Sequence, residues 1–215
     1  MNIAIRTVAA ALLAALALNV SALEEPEYEV IQSFEEFELR EYAPYIVAEV
    51  DVTGDMRESG NSAFRILAGY IFGDNEAKVK MEMTAPVSAT STPPSEKMAM
   101  TAPVASSVDP ESGVTTYSFV MERKYTMDTL PEPLDDRIRI REVPPKVMAV
   151  RKYSGRWTQS TYEKHLQQLQ SALLEAEIKT TGEPILARYN SPFSLPVFRR
   201  NEVMLEALSQ ENPPI

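Results

Sequence analysis

Cysteine is absent from all 215 residues. That excludes disulfides, thiolate ligation of a metal, thioether attachment of a prosthetic group and a lipidated N-terminal cysteine. Histidine occurs once, at His165. A Ser–His or Cys–His catalytic set therefore has at most one candidate base. No serine sits in a G-x-S-x-G elbow, and neither a glycine-rich phosphate loop nor a cluster with metal-ligand spacing occurs. The chain is expected not to be an enzyme, although composition leaves carboxylate chemistry open. Positive charge is scarce: 21 Lys+Arg stand against 31 Asp+Glu, a net charge of −10. Such a surface argues against nucleic acid and anionic lipid as partners.

A membrane-spanning run is also missing. Val8 to Leu18 is apolar over eleven residues, too short to cross a bilayer. With Arg6 before it and Val20-Ser21-Ala22 after it, this stretch reads as a secretory signal peptide over residues 1–22, cleaved near Ala22. Its alanine-rich character fits bacterial export, so the expected location is the periplasm. Cleavage would move the net charge from −10 to −11, because Arg6 is the one charged residue removed. The mature chain, residues 23–215, is expected to form a single domain that does not insert into a membrane.

What is present is a doubled motif. Met81-Glu82-Met83-Thr84-Ala85-Pro86-Val87 returns seventeen residues later as Met98-Ala99-Met100-Thr101-Ala102-Pro103-Val104. Ser88 to Lys97, rich in Ser, Thr and Pro, reads as the loop between two extended segments with Met-rich faces. Pro86 and Pro103 lack an N–H and belong at strand ends, edges or bulges. Met fills core gaps readily, so this pattern is compatible with packing as well as with a soft ligand wall.

A longer duplication lies beneath it. Leu39-Arg40-Glu41-Tyr42-Ala43-Pro44 is echoed by Ile140-Arg141-Glu142-Val143-Pro144-Pro145, and Thr53-Gly54 by Ser154-Gly155, at an offset of 101. Each half carries strands followed by an amphipathic helix, Ser59 to Phe72 and about Thr158 to Glu177. At an offset of 102, Phe64, Leu67 and Ile71 fall on Leu166, Leu169 and Leu173. The spacing predicts an α+β fold. Two pseudo-symmetric strand–helix–strand halves, about 27–122 and 134–208, can close one mostly antiparallel sheet with both helices packed outside.

The paired MTAPV segments resemble the signature of the SOUL family of haem-binding proteins. Tyr70-Ile71-Phe72-Gly73-Asp74-Asn75, Arg188-Tyr189-Asn190-Ser191-Pro192-Phe193 and Arg199-Arg200-Asn201-Glu202-Val203 resemble further segments of that family, in the same order. The resemblance covers roughly Glu27 to Leu208 and implies that the two halves form one distorted antiparallel β-barrel, with the two helices packed outside. It implies non-covalent, reversible binding of haem or a related tetrapyrrole, on a surface beside the first helix. There Phe64, Leu67, Ala68 and Ile71 would face the ring, and Arg57 and Arg65 the propionates. Asn61 and Gly69 fall near positions where animal members carry basic residues. His165, on the second helix, is considered as an axial iron ligand but reads better as a half-buried residue on the rim of that helix's apolar stripe. Glu202 is either a pocket carboxylate for a cationic effector or a surface ion-pair partner of a neighbouring arginine. Trp157 and Tyr153 read as packing around the turn at Gly155. Two other functions stay open: an effector-binding module for another amphipathic or cationic small molecule, and a hydrolase-like relative on the same fold.

Overall fold

The computed structural model describes residues 23–78 and 94–208. The signal-like segment and the first MTAPV copy lie outside the described residues.

Leu23 to Glu27 runs irregularly into an edge strand, β1 (Tyr28–Ser33), followed by β2 (Glu38–Tyr42) and β3 (Tyr45–Val52). Asp55 then caps the first helix, α1 (Met56–Phe72), accepting from the N–H groups of Arg57 and Glu58 at 2.9 Å. Gly73, at φ 127°, ends it in a conformation that side chains rarely adopt. A two-residue strand, β4 (Asn75–Glu76), precedes β5 (Val104–Val108) and β6 (Thr115–Val120). Next come β7 (Glu132–Pro133), which pairs with β4, and β8 (Arg139–Val143) and β9 (Lys146–Tyr153). The second helix, α2 (Gln159–Glu175), is capped by Thr158. The chain closes with β10 (Thr180–Arg188), a short 3-10 turn at Pro196–Phe198, and β11 (Asn201–Ala207).

Nine strands form one antiparallel sheet in the order β1-β2-β9-β11-β10-β5-β6-β3-β8. Leaving aside β1, that order reads the same in both directions once β2 is exchanged with β8, β3 with β9, β5 with β10 and β6 with β11. The ladders agree residue by residue. β3 pairs with β8 through Tyr45↔Val143, Val47↔Arg141 and Glu49↔Arg139. β9 pairs with β2 through Lys146↔Tyr42, Met148↔Arg40 and Val150↔Glu38, the same register displaced by 101. The exchange centres on Leu186↔Ser106 in the β10–β5 ladder. The α+β architecture of two halves and two outer helices is therefore as expected.

One expected strand differs. Met98 to Pro103 is irregular, and pairing begins only at Val104. The carbonyl of Val120 accepts from the Thr101 hydroxyl at 2.5 Å. Pro103, without an N–H, stands just before the strand rather than in it.

Alternation along the strands splits the sheet into two faces. On the outer face α1 buries Ala63, Leu67, Tyr70 and Ile71 against Ala48, Val50, Tyr117 and Phe119. There α2 buries Leu169 and Leu173 against Phe37, Leu39, Ala149, Val203 and Leu205. The buried positions of the two helices correspond at an offset of 102. The inner face curls around Tyr42, Val47, Val143, Met148 and Met204. Pro26 closes over it, and the carbonyl of Glu24 accepts from Ala102 N–H at 2.8 Å.

Candidate functional site

The α1 residues divide by rotation. At about 100° per residue, Ser59, Ala63, Leu67, Tyr70 and Ile71 point to the sheet, while Arg57, Asn61, Phe64, Arg65, Ala68 and Phe72 span the opposite arc. Leu67 and Ile71 are core residues, 0% and 2% exposed, and Ala68 lies on the rim at 7%. Phe64 and Phe72 are 44% and 55% exposed. Of the six residues singled out in the sequence, Arg57, Phe64 and Arg65 share this outer arc with Ala68. Leu67 and Ile71 instead support it from below. Phe72 joins the arc and was not foreseen, because it reads as the helix end.

The stripe is held firmly. The Phe64 ring meets Phe119 edge-on, with centroids 5.6 Å apart and planes 61° apart. Beneath it, the Tyr70 hydroxyl donates to the Pro131 carbonyl at 2.8 Å, and Asn75 Nδ2 donates to the Tyr70 carbonyl at 2.7 Å. Among the described residues, no ion pair engages Arg57 or Arg65.

A polar cluster borders the N-terminal end of α1. A Cβ at Gly60 would come within 3.4 Å of the Tyr117 hydroxyl and 3.8 Å of Arg188 Nη1. The Arg188 guanidinium lies 5.4 Å from the centre of the Trp157 ring, and that of Arg199 lies 4.2 Å from it. Trp157 Nε1 donates to Asn201 Oδ1 at 2.7 Å. The indole is thus a bonded part of this cluster, not merely filler for the turn at Gly155.

The inner face offers a cavity of about 120 Å³, lined mostly by apolar side chains. That is well below the ~300–1,000 Å³ of ordinary ligand pockets, and too small for a porphyrin. Its carboxylate Glu49 is engaged by Arg139 at 3.3 Å and Arg141 at 3.0 Å. Glu202, read from the sequence as either a pocket carboxylate or a surface ion-pair partner, is wholly buried. Its expected arginine partner is real, and a second one joins it. Arg40 Nη1 reaches both its oxygens at 3.1 Å, Arg200 Nε reaches Oε1 at 3.0 Å, and the Tyr189 hydroxyl donates to Oε2 at 2.7 Å. Burial opposes the charge on Arg40, but Glu202, Tyr42 and Glu38 outweigh it and hold the guanidinium above its ordinary pKa. Burial, then the charge of Glu202, pushes the Tyr189 hydroxyl well above its ordinary range.

His165 sits on α2, its ring stacked on Tyr153 at 4.0 Å and 19°. Arg151 Nε donates toward its Nδ1 at 3.5 Å. Burial first, then the charges of Arg151 and Lys164, hold the imidazole below its ordinary pKa. Among the described residues there is no group of three or more His, Cys, Asp or Glu able to hold a metal ion, and no helix is long and apolar enough to cross a membrane.

Comparison with known proteins gives the family and the fold. The family model described as "SOUL heme-binding protein" matches residues 23–96 and 92–206. The mouse (Mus musculus) protein named Heme-binding protein 2 is 28% identical over 202 residues, covering 90% of this chain and 89% of that protein. The human (Homo sapiens) Heme-binding protein 2 is 30% identical over 186 residues, covering 83% and 80%. Among solved structures, the C-terminal domain of EcmrR matches with a TM-score of 0.56 at 9% identity, over 84% of this chain and 98% of that one. This last likeness concerns the fold alone.

Proposed function

The chain belongs to the SOUL haem-binding family, and from that premise we propose that it binds haem or a related tetrapyrrole reversibly on the outer arc of α1. The observation that carries this reading is the pair of exposed rings Phe64 and Phe72, with the buried Ala68 between them and exposed Arg57 and Arg65 on the same arc. Bound haem would supply a redox-active iron. Phe64 and Phe72 offer aromatic faces to a flat ring, and the small side chain of Ala68 lets it approach the helix. Arg57 and Arg65 are donors for carboxylates. The stripe bears no imidazole or thiolate, so the ring is held by apolar contact and charge rather than by a protein–iron bond. That favours release as well as capture.

In this reading the protein is a periplasmic carrier or buffer, exported by the segment ending at Ala22, and not an enzyme. Both buried carboxylates of the inner face, Glu49 and Glu202, are committed to arginines. This weighs against a free pocket carboxylate for a cationic effector or for hydrolysis.

Haemin added to the purified protein should shift the Soret band to a saturable endpoint, and excess apomyoglobin should then withdraw it. Absence of a saturable shift would remove haem as the ligand. Retention of the haem against apomyoglobin would remove reversibility. N-terminal sequencing of protein from the periplasmic fraction should begin near Leu23.

A further inference from the structure

Among the described residues, two buried side-chain donors have no hydrogen-bond partner: Arg188 Nε and Asn201 Nδ2. The two residues face each other directly across the β10–β11 ladder. Both atoms are nitrogens that can only donate, so what the place lacks is an acceptor. Arg40 and Arg200, on the inner face, close on Glu202. Arg188, on the outer face, has no carboxylate among the described residues. Its neighbours are the Tyr117 hydroxyl, the Trp157 ring and the open backbone of Gly60. A partly desolvated guanidinium without a counter-charge is costly, and burial lowers the Arg188 pKa from its ordinary value; a guanidinium nonetheless keeps its proton at neutral pH. In a chain of net charge −10, this cation is kept unpaired beside the helix that carries the apolar stripe. Gly60 lies one helical turn from Phe64, and Arg188 Nη1 would be 3.8 Å from a Cβ there. Arg188 is only half-buried as a whole, so a ligand reaches its outer edge, with Asn201 wholly buried behind it.

We propose that Arg188 and Asn201 form an acceptor-binding subsite that takes a carboxylate arm of the ligand whose ring lies on Phe64. This rests on the tetrapyrrole reading for the identity of the ring, but the subsite itself requires only an apolar carboxylate. Gly60 puts no side chain between Phe64 and the guanidinium. The Trp157 ring, held by Asn201, lies beside that guanidinium.

The test uses the fluorescence of Trp157, the only tryptophan in the chain. The protein is titrated with pyrenebutyrate and its neutral analogue pyrenebutanol, then with protoporphyrin IX and its dimethyl ester. The acids should bind about tenfold to a hundredfold more tightly than their neutral analogues. Arg188→Met should abolish the preference for pyrenebutyrate over pyrenebutanol and weaken that for protoporphyrin IX over its ester, the remainder belonging to Arg57 and Arg65; the melting temperature should not fall, since an unpaired charge is removed. Arg188→Lys should keep part of the pyrenebutyrate preference. Equal binding of pyrenebutyrate and pyrenebutanol to the unaltered protein, or a pyrenebutyrate preference that survives Arg188→Met, would overturn the subsite. If the porphyrins fail to bind while pyrenebutyrate binds in an Arg188-dependent way, the tetrapyrrole reading fails and the subsite stands. If both porphyrins bind with equal affinity, the ring site stands and the carboxylate arm at Arg188 is refuted.

Discussion

The Tyr189 hydroxyl donates to Glu202 Oε2 at 2.7 Å, in a side chain with no solvent exposure at all. Arg40 and Arg200 complete the shell of that carboxylate. Glu202→Gln should therefore cost up to about 3–5 kcal/mol, because it takes from buried Arg40 its fully buried counter-charge and leaves it only the half-exposed Glu38. Tyr189→Phe should cost less, about 1.5–3 kcal/mol, for one hydrogen bond to a charged acceptor. Urea denaturation of the two variants measures both. A stability loss under 1 kcal/mol for Glu202→Gln would mean that the network is not structural.

Leu67 and Ile71 separate support from contact. Leu67→Ala should destabilise the fold by about 2–5 kcal/mol through a cavity between α1 and the sheet. Under conditions where the variant is folded, its haemin affinity should match that of the unaltered protein. A selective loss of affinity with unchanged stability would place Leu67 against the ligand instead.

His165 supplies a pH dependence with a definite sign. Its folded-state pKa lies below the ordinary 6.5, through burial and then the charges of Arg151 and Lys164. The unfolded chain therefore takes up that proton more readily. The contribution to stability is whole above about 6.5 and is lost as pH falls through the lower folded value. The groups facing the ring are Arg151, Lys164, Tyr153 and Gln168. In His165→Gln this part of the acid destabilisation should vanish, so the stability difference between the two proteins narrows or inverts between pH 7 and pH 5. A constant difference across that range would contradict the assignment.

The same residue is not expected to hold iron. Its ring is stacked on Tyr153, and its Nδ1 accepts from Arg151, on the helix opposite the proposed surface. His165→Ala should leave the haemin-induced Soret shift unchanged. Loss of that shift in a folded variant would make the histidine the ligand.

The duplication was legible because the repeated segment Leu39 to Pro44 and its echo Ile140 to Pro145 occupy equivalent ladders. An offset of 101 in sequence became an offset of 101 in register. The site was legible only in part. Helical periodicity identifies α1 as amphipathic, but its apolar residues run continuously from Leu67 and Ile71 round to Phe64 and Ala68. Nothing in that pattern says where the sheet ends and solvent begins. The buried state of Glu202 was hidden, since its partner Arg40 lies 162 residues away. Arg188 left a fainter trace. It alternates onto the face of Leu186, away from Ile185 and Ala187, and a charge on a core-facing register position is a signal that alternation alone could have raised.

The account stands most directly on the outer arc of α1, and haemin titration of Phe64→Glu tests it. Phe64 is 44% exposed but its ring meets Phe119 edge-on, so the substitution should lower the melting temperature modestly and leave the protein folded. Placing a carboxylate against an apolar, dianionic ring should weaken haemin binding by about tenfold to a hundredfold, with Phe72→Glu following in the same direction. A folded Phe64→Glu protein that binds haemin as tightly as the unaltered chain would contradict the claim.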